Sequence, residues 1–206
     1  MTKNTFLALG AIAVLASCAT TASAPSREET MKVVKSSFKD RGIAKVDRLE
    51  QTELQQVCSE AAMSGKDLPK DVRARVEKQQ MASIKYPTDG KYLGDWKAGE
   101  KVAQSGRGLQ WSDNEKTVSG GNCYACHELT AQEISFGNIG PSLKGYAKLR
   151  GNSEAVVKYT WGKLWNTHAF NACSQMPRFG DAGILTEAQL KDVMALLLDP
   201  NSPVNK

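Results

Sequence analysis

The stretch GNCYACH, residues 121–127, places Cys123, Cys126 and His127 in the spacing C-x-x-C-H. This spacing is the signature of covalent c-type haem attachment. Two thiols three residues apart on one turn can add to the two vinyl groups of one porphyrin edge, and the next residue then brings its imidazole to the iron. The motif predicts one covalently bound haem c, with Cys123 and Cys126 as the attachment residues and His127 as the proximal axial ligand.

Three other interpretations of this motif compete with haem attachment. A thioredoxin-like C-x-x-C follows a strand of a βαβ unit, but residues 120–122, GGN, precede this one. A structural zinc site needs four ligands, and only Cys58, Cys173 and His168 remain as further candidates. A plain disulfide within the motif would leave its histidine as a coincidence. Haem attachment is therefore the interpretation that the complete motif favours.

A haem iron held by one histidine takes a second axial ligand or keeps an open position. Met176 lies in the string QMPRFG, residues 175–180, where Pro177 disfavours helical geometry at the methionine and so predicts a ligand-presenting loop. His168 is the main rival as ligand. We predict Met176 as the distal axial ligand, which gives a closed electron carrier and disfavours an open-site haem sensor or peroxidase.

The run FGNIGPSLKGYAKLRG, residues 136–151, lies between the two predicted axial ligands. Gly140 and Pro141 break any helix there and lay the backbone out as a loop. The exposed carbonyls of this loop are candidates to accept the proton on the far ring nitrogen of His127, which would fix the tautomer of that ligand. The alternative is a simple turn without such a contact.

The C-terminal half of the chain has the pattern of a small helical domain. Thr186 and Gln189 form a capping box at the start of a helix with an apolar stripe. Shorter helices are expected around 99–104 and 153–165, so we interpret 91–206 as a helical domain wrapped on the haem. Four aromatic side chains are candidates to line the haem cavity, or equally to form ordinary core: Tyr146, Trp161, Trp165 and Phe179.

Residues 25–90 carry helical signals but no haem-ligand pattern. Ser26 and Glu29 form a candidate capping box, and Pro69 can start a helix over 70–83. Such short helices bury little apolar surface alone, so we expect them to dock on the haem domain. The fold class predicted is all-α, a class I cytochrome c fold with an N-terminal helical extension. A partial helical stripe in the extension comprises Leu49, Leu54, Val57 and Ala61.

The first residues of the chain have the pattern of an export signal. Within residues 1–17, MTKNTFLALGAIAVLAS, one lysine precedes the apolar run 6–16, which is too short to span a bilayer. This predicts a signal peptide and a periplasmic location. The string LASC, residues 15–18, resembles a bacterial lipobox, which makes Cys18 a candidate for lipidation. The alternative is ordinary cleavage near residue 24; we favour the lipobox slightly.

Composition excludes several classes of function. The 206 residues include 27 Lys and Arg against 22 Asp and Glu, a net charge of +5. The basic residues alternate with acidic ones instead of forming one stripe, so we expect no nucleic-acid partner. Two histidines in the whole sequence exclude a histidine-rich metal cage or a multi-histidine active site.

Of five cysteines, two belong to the haem motif and Cys18 to processing, which leaves Cys58 and Cys173. Export places these thiols in a compartment that permits disulfides. A bridge between them would tie the N-terminal extension to a position three residues before Met176 and contribute about 3 to 5 kcal/mol in the chain-entropy model. The alternative is two free buried thiols.

The chain resembles the SoxX family, the monohaem cytochrome c subunits of the SoxAX complex of bacterial thiosulfate oxidation. The similarity covers roughly residues 86–205, and the long extension with Cys58 looks like that of the larger members. The combination of MPRFG, residues 176–180, with the string at 185–205 is more specific to this family than the haem motif alone. The similar strings are GDWKAGEKVAQSGRG (94–108), GGNCYACHEL (120–129), FGNIGPSLKGYAKLRG (136–151), NACSQMPRFG (171–180) and LTEAQLKDVMALLLDPNSPVN (185–205).

The resemblance implies a role as one subunit of an L-cysteine S-thiosulfotransferase, which oxidatively joins thiosulfate to a cysteine of a SoxYZ-like carrier protein. A SoxA-like partner carries the catalytic haem of the heterodimer. The present chain would accept electrons through a haem ligated by His127 and Met176 and pass them to a downstream cytochrome c. It would contribute no catalytic residue. The alternative is a freestanding periplasmic class I cytochrome c that shuttles electrons.

Overall fold

The structure, a computed structural model, describes residues 24–206, so the predicted signal peptide and Cys18 lie outside the described residues. Regular structure within this range is helical, without named strands, which confirms the all-α prediction. Short 3-10 turns lie at Val46–Leu49, Cys123–Ala125, Thr167–Ala169 and Pro203–Asn205. The α-helices are α1 (Arg27–Ser37), α2 (Glu53–Ser64), α3 (Lys70–Ala82), α4 (Trp96–Gln104), α5 (Tyr146–Arg150), α6 (Glu154–Trp165) and α7 (Glu187–Leu198).

The described chain falls into two compact units that divide between Lys39 and Asp40. The first contains α1, whose predicted capping box is present: the Ser26 hydroxyl accepts the Glu29 amide, and the Glu29 carboxylate accepts the Ser26 amide. All further helices belong to the second unit. The predicted division of the chain near residue 90 stays a prediction.

Two predicted helices begin at different residues in the structure. The expected start of α4 at residue 99 is wrong by three residues, because the Asp95 carboxylate caps the helix by accepting the Lys97 amide. The stripe beginning at Leu49 is not one helix. Leu49 ends a separate 3-10 turn, and α2 starts only after Thr52, which forms its own capping box with Gln55.

Helices α4 and α7 pack against each other at the centre of the haem-motif region. Buried Gly99 allows this close approach, since a methyl group there would run into the backbone of Asp192 in α7. The predicted capping box of Thr186 and Gln189 starts α7. Nearly all of the helix beyond its first turn is buried, with Leu190, Met194 and Leu196 fully enclosed. This crossing forms one side of the main core.

Helices α2 and α3, two of the three short helices expected to dock on the haem domain, contact the segment that follows α6. Leu54, Leu68 and Val76 form a second buried cluster, and its fourth member is Ala172. At the end of α3, the backbone carbonyls of Ser83 and Lys85 accept the indole N–H groups of Trp165 and Trp161 respectively. The hairpin of α2 and α3 therefore contacts the chain next to Met176. No helix in residues 24–206 has the length and apolar character needed to cross a membrane.

Candidate haem site

The C-x-x-C-H motif folds as a tight turn that starts from a strained residue. Asn122 has φ +47°, a left-handed conformation that asparagine tolerates better than most residues. A 3-10 turn over Cys123–Ala125 follows. The carbonyl of Cys123 accepts the amides of both Cys126 and His127, at 3.1 and 2.9 Å. The turn thus brings the two cysteines and the histidine onto one short stretch of backbone.

Both motif cysteines are free, half-buried thiols and not a disulfide. Burial raises the pKa of the Cys123 thiol to about 12, so this sulfur is a neutral thiol near neutral pH. A disulfide-exchange enzyme depends on the opposite condition, an exposed thiolate of lowered pKa. Across the described residues, no three His, Cys, Asp or Glu side chains converge to hold a metal ion. These observations disfavour the thioredoxin-like, disulfide and zinc interpretations.

His127 is held in the tautomer that a haem ligand requires. Its Nδ1–H donates to the carbonyl oxygen of Pro141 at 2.7 Å. A carbonyl oxygen can only accept, so the ring proton resides on Nδ1 and the lone pair of Nε2 is left for iron. The sequence proposed this contact at Gly140 or Pro141, and the structure assigns it to Pro141.

The loop 136–141 is fastened to the haem-attachment turn by its backbone. Gly137 N–H donates to the Tyr124 carbonyl and Gly140 N–H donates to the Cys126 carbonyl, each at 2.8 Å. Glycine is required at Gly140 because a Cβ there would strike the imidazole of His127. The predicted loop is therefore a support for the proximal ligand and more than a simple turn.

Met176 lies in a loop, as predicted, and packs against the main core cluster as a half-buried side chain. Cys123 packs against the same cluster. The backbone N–H of Met176 donates to the hydroxyl of Ser174 at 3.2 Å. Apolar surroundings suit a thioether ligand, whose sulfur is a weak hydrogen-bond acceptor. Coordination of iron by His127 and Met176 stays a prediction.

His168, the rival axial ligand, is engaged elsewhere. Its Nε2–H donates to the carbonyl of Ser174 at 2.9 Å, and its buried Nδ1 has no hydrogen-bond partner. Burial also lowers the pKa of this imidazole, with its hydrogen bond to Ser174 as an opposing influence. The neutral ring therefore uses its single proton to hold the segment that leads to Met176.

Cys58 of α2 and Cys173 form a disulfide, which settles the alternative of two free thiols. Their Cα atoms lie 5.5 Å apart across a sequence separation of 115 residues. Next to the bridge, the Glu77 carboxylate of α3 accepts the Ala172 amide at 3.1 Å. Two neighbouring residues just before Met176 are thus attached to the α2–α3 hairpin.

Three of the four predicted aromatic residues are buried members of the main core cluster that Met176 and Cys123 contact, and the fourth, Trp165, is partly buried and packs against it. Trp161 stacks on Trp165 with a ring-centroid distance of 6.1 Å, and Tyr92 meets Trp161 edge-on at 5.6 Å. The Tyr146 hydroxyl is paired with Thr160 Oγ1 at 2.8 Å. The four residues are Tyr146, Trp161, Trp165 and Phe179.

These residues fit a covalently bound haem c. Cys123 and Met176 pack against one apolar, aromatic-rich cluster, and the motif turn joins Cys126 and His127, with its Nε2 lone pair available, to Cys123. This donor set provides both thioether attachment points and two axial ligands of the kinds used in cytochromes c.

Several supporting residues were missed by reasoning from the sequence. Ser174, Glu77 and Asn166 all hold the Met176 segment or the turn before it. Asn166 offered one local signal, since it precedes the turn Thr167–Ala169 and its side chain accepts the His168 amide as a cap. The role of Glu77 depends on a contact across 95 residues and has no local signature.

Comparison with known proteins supports the haem assignment. Residues 112–199 match the cytochrome c family. The chain is also similar to an uncharacterized lipoprotein of Aquifex aeolicus (strain VF5), with 36% identity in an alignment of 195 positions that covers 90% of each protein. The cytochrome c match implies covalently bound haem c and an electron-transfer role, and the helical architecture agrees with a class I cytochrome c fold.

Proposed function

We propose that this chain, which belongs to the family of the Aquifex lipoprotein and contains a cytochrome c domain, is the electron-accepting subunit of a SoxAX-type complex. In that role it binds one haem c and assists a partner that couples thiosulfate to a carrier-protein cysteine. The observation that carries the electron-transfer role is the fixed tautomer of His127: its Nδ1–H donates to the Pro141 carbonyl, and within residues 24–206 no hydrogen bond engages Nε2.

The resemblance to the SoxX family supports the more specific assignment. Four of the five similar strings adjoin the site: the α4 segment, the motif, the loop to 151 and the Met176 loop. The fifth begins at Leu185 and contains α7, which packs on α4. The disulfide uses Cys58 of the long extension, the feature shared with the larger members of that family.

The thiols of the chain support a non-catalytic role in sulfur transfer. Cys58 and Cys173 are bonded to each other. Cys123 and Cys126 would be thioethers of the bound haem, so neither would remain as a thiol. A cysteine that attacks or carries sulfur needs an accessible thiolate. The sulfur chemistry therefore belongs to the SoxA-like partner and the SoxYZ-like carrier, and the whole complex acts as the L-cysteine S-thiosulfotransferase.

The coupling reaction requires an electron acceptor. Joining a carrier thiol to thiosulfate forms one S–S bond and releases one proton and two electrons. Bound haem supplies one-electron iron redox chemistry. The residues of this chain orient the proximal imidazole and present the thioether of Met176 against the apolar core cluster. Because one haem takes one electron at a time, a downstream cytochrome c must receive electrons repeatedly.

We further propose that the chain is exported to the periplasm and held there by a lipid on Cys18. The lipobox-like string at 15–18 and the lipoprotein name of the Aquifex relative support this location. Cys18→Ala should abolish incorporation of labelled palmitate in cells. Persistence of the label in that variant would contradict lipidation at this residue.

The SoxAX assignment is tested by reconstitution. The purified holoprotein is mixed with thiosulfate, a SoxA-like partner and a SoxYZ-like carrier, and haem reduction is followed by absorbance. We expect reduction only when partner and carrier are both present, together with co-purification of the partner. A carrier whose acceptor cysteine is changed to alanine is the matched control and should give no reduction.

A different result would identify a freestanding electron shuttle. If the isolated chain stays monomeric, binds no SoxA-like subunit and still delivers electrons to a terminal oxidase, the SoxAX role is wrong. The haem-binding role would survive that outcome, because it rests on the geometry of the motif.

A further inference from the structure

His168 is a half-buried polar side chain that the electron-transfer role leaves without a function. One ring nitrogen, Nδ1, is enclosed without a hydrogen-bond partner, and the other, Nε2, donates to the Ser174 carbonyl at 2.9 Å. An enclosed nitrogen without a partner costs free energy. An apolar side chain at this position would avoid that cost. We therefore look for the role of His168 in its hydrogen bond to Ser174.

Ser174 connects His168 to the predicted distal ligand. Its carbonyl accepts from His168, while its hydroxyl oxygen accepts the backbone N–H of Met176 at 3.2 Å. The Thr167 hydroxyl also donates to the Ser174 hydroxyl oxygen at 3.3 Å. One residue thus links the imidazole to the backbone from which the thioether projects.

His168 is itself fixed from the other side. Fully buried Asn166 accepts the His168 amide through Oδ1 at 3.1 Å. The Nδ2 group of Asn166 donates to Gln80 Oε1 at 3.0 Å and to Ser83 Oγ at 2.9 Å. Asn166 therefore connects the backbone of His168 to the end of α3. A residue that positions a ligand needs to be fixed in this way by its own neighbours.

We propose that His168 is a positioning residue that sets the placement of Met176 over the haem through Ser174. This inference rests on the proposed haem-binding function and assigns the second histidine a role opposite to that of the first. His127 keeps its proton on Nδ1 and offers Nε2 to iron, whereas His168 keeps its proton on Nε2 and offers it to the ligand loop. The Cys58–Cys173 bridge restrains the same loop one residue earlier.

The test compares two amide substitutions at this position in the isolated holoprotein. In His168→Gln the side-chain amide reaches the position of Nε2 and can still donate to Ser174. In His168→Asn the same amide is one methylene shorter and falls short of that carbonyl. The readouts are the weak absorption band of methionine-ligated ferric haem, at roughly 695 nm, and the midpoint potential, with covalent haem content measured separately.

We expect His168→Gln to keep the band and the wild-type potential, and His168→Asn to lose most of the band and shift the potential lower. Equal behaviour of the two variants, in either direction, would overturn the positioning role. Because a chemical reductant is used without partner or carrier, this result is independent of the SoxAX assignment. A wild-type protein without covalent haem would instead contradict the haem-binding function itself.

Discussion

At the scale of the residue, the contacts of the His127 imidazole determine which ring nitrogen is available to bind iron. His127 is bonded to the Pro141 carbonyl, and its ring faces Gly140 without room for a side chain between them. The spacing of the motif predicted the ligand, and the Gly-Pro pair predicted the loop, because both signals lie within a few neighbouring residues. The orientation of His168 had no such signal, since it depends on how the turn at 167–169 places a ring against Ser174.

Gly140→Ala should disturb the proximal ligand. Its methyl group would strike the His127 ring, so the loop or the imidazole must move. We expect a loss of about 1–3 kcal/mol of unfolding free energy, together with a lower yield of covalent haem per chain. Denaturant unfolding and haem content measure the two effects. Ile139→Ala, a change of a 76% exposed neighbour on the same loop, is the control and should alter neither.

Met176→Ala should remove the band at roughly 695 nm from the oxidised spectrum, because that band requires a methionine sulfur on ferric haem. The potential should fall when the thioether is lost. Met194→Leu is the matched control: Met194 is fully buried in α7, and a volume-conserving change there should leave the band in place. A wild-type protein that lacks the band would exclude Met176 as the ligand.

At the scale of the elements, the α2–α3 hairpin supports the Met176 segment. The disulfide, the Glu77 contact and the second buried cluster all connect the hairpin to residues 172 and 173. The helices themselves were predictable from caps and apolar spacing. The first residues of α2 and α4 were harder to predict, because the side chains of Thr52 and Asp95 cap these helices by accepting backbone N–H groups.

Removal of the disulfide by the double change Cys58→Ala and Cys173→Ala should destabilise the protein by about 3 to 5 kcal/mol, since the bridge closes a long loop of the unfolded chain. Denaturant unfolding with and without reductant measures the effect. Reductant should weaken the wild type and leave the double variant unchanged. Equal stability of the two proteins without reductant would contradict a bridged native state.

Loss of the N-cap of α7 should lower the free energy of unfolding by less than loss of the disulfide does. Thr186→Ala removes the hydroxyl that accepts the Gln189 amide, and should cost about 0.5–2 kcal/mol. Thr186→Ser retains the hydroxyl and is the control. The unfolding free energies of both variants, obtained from denaturant titrations, check the prediction. A serine variant as unstable as the alanine variant would show that the threonine methyl group, and not the cap, is responsible.

At the scale of the whole molecule, the cysteines and histidines divide into separate tasks. Two cysteines lie in the haem motif, two form the bridge, His127 is bonded to the Pro141 carbonyl and His168 to the Ser174 carbonyl. Residue counts predicted the division of the cysteines, with two free thiols as the alternative to the bridge, but they left His168 without a role. The docking of α3 on the turn before Met176 was expected only in outline, since its contacts join residues about 80 to 95 positions apart.

The proposed function depends most directly on the covalent attachment of one haem to Cys123 and Cys126. The direct test is intact mass spectrometry of the denatured, unreduced mature protein after treatment with a thiol-alkylating reagent. We predict the mass of the mature chain plus one haem and the proposed Cys18 lipid, with no alkylated thiol, because Cys123 and Cys126 would be thioethers and Cys58 and Cys173 are bridged. A chain without added haem that carries two alkyl groups would contradict it.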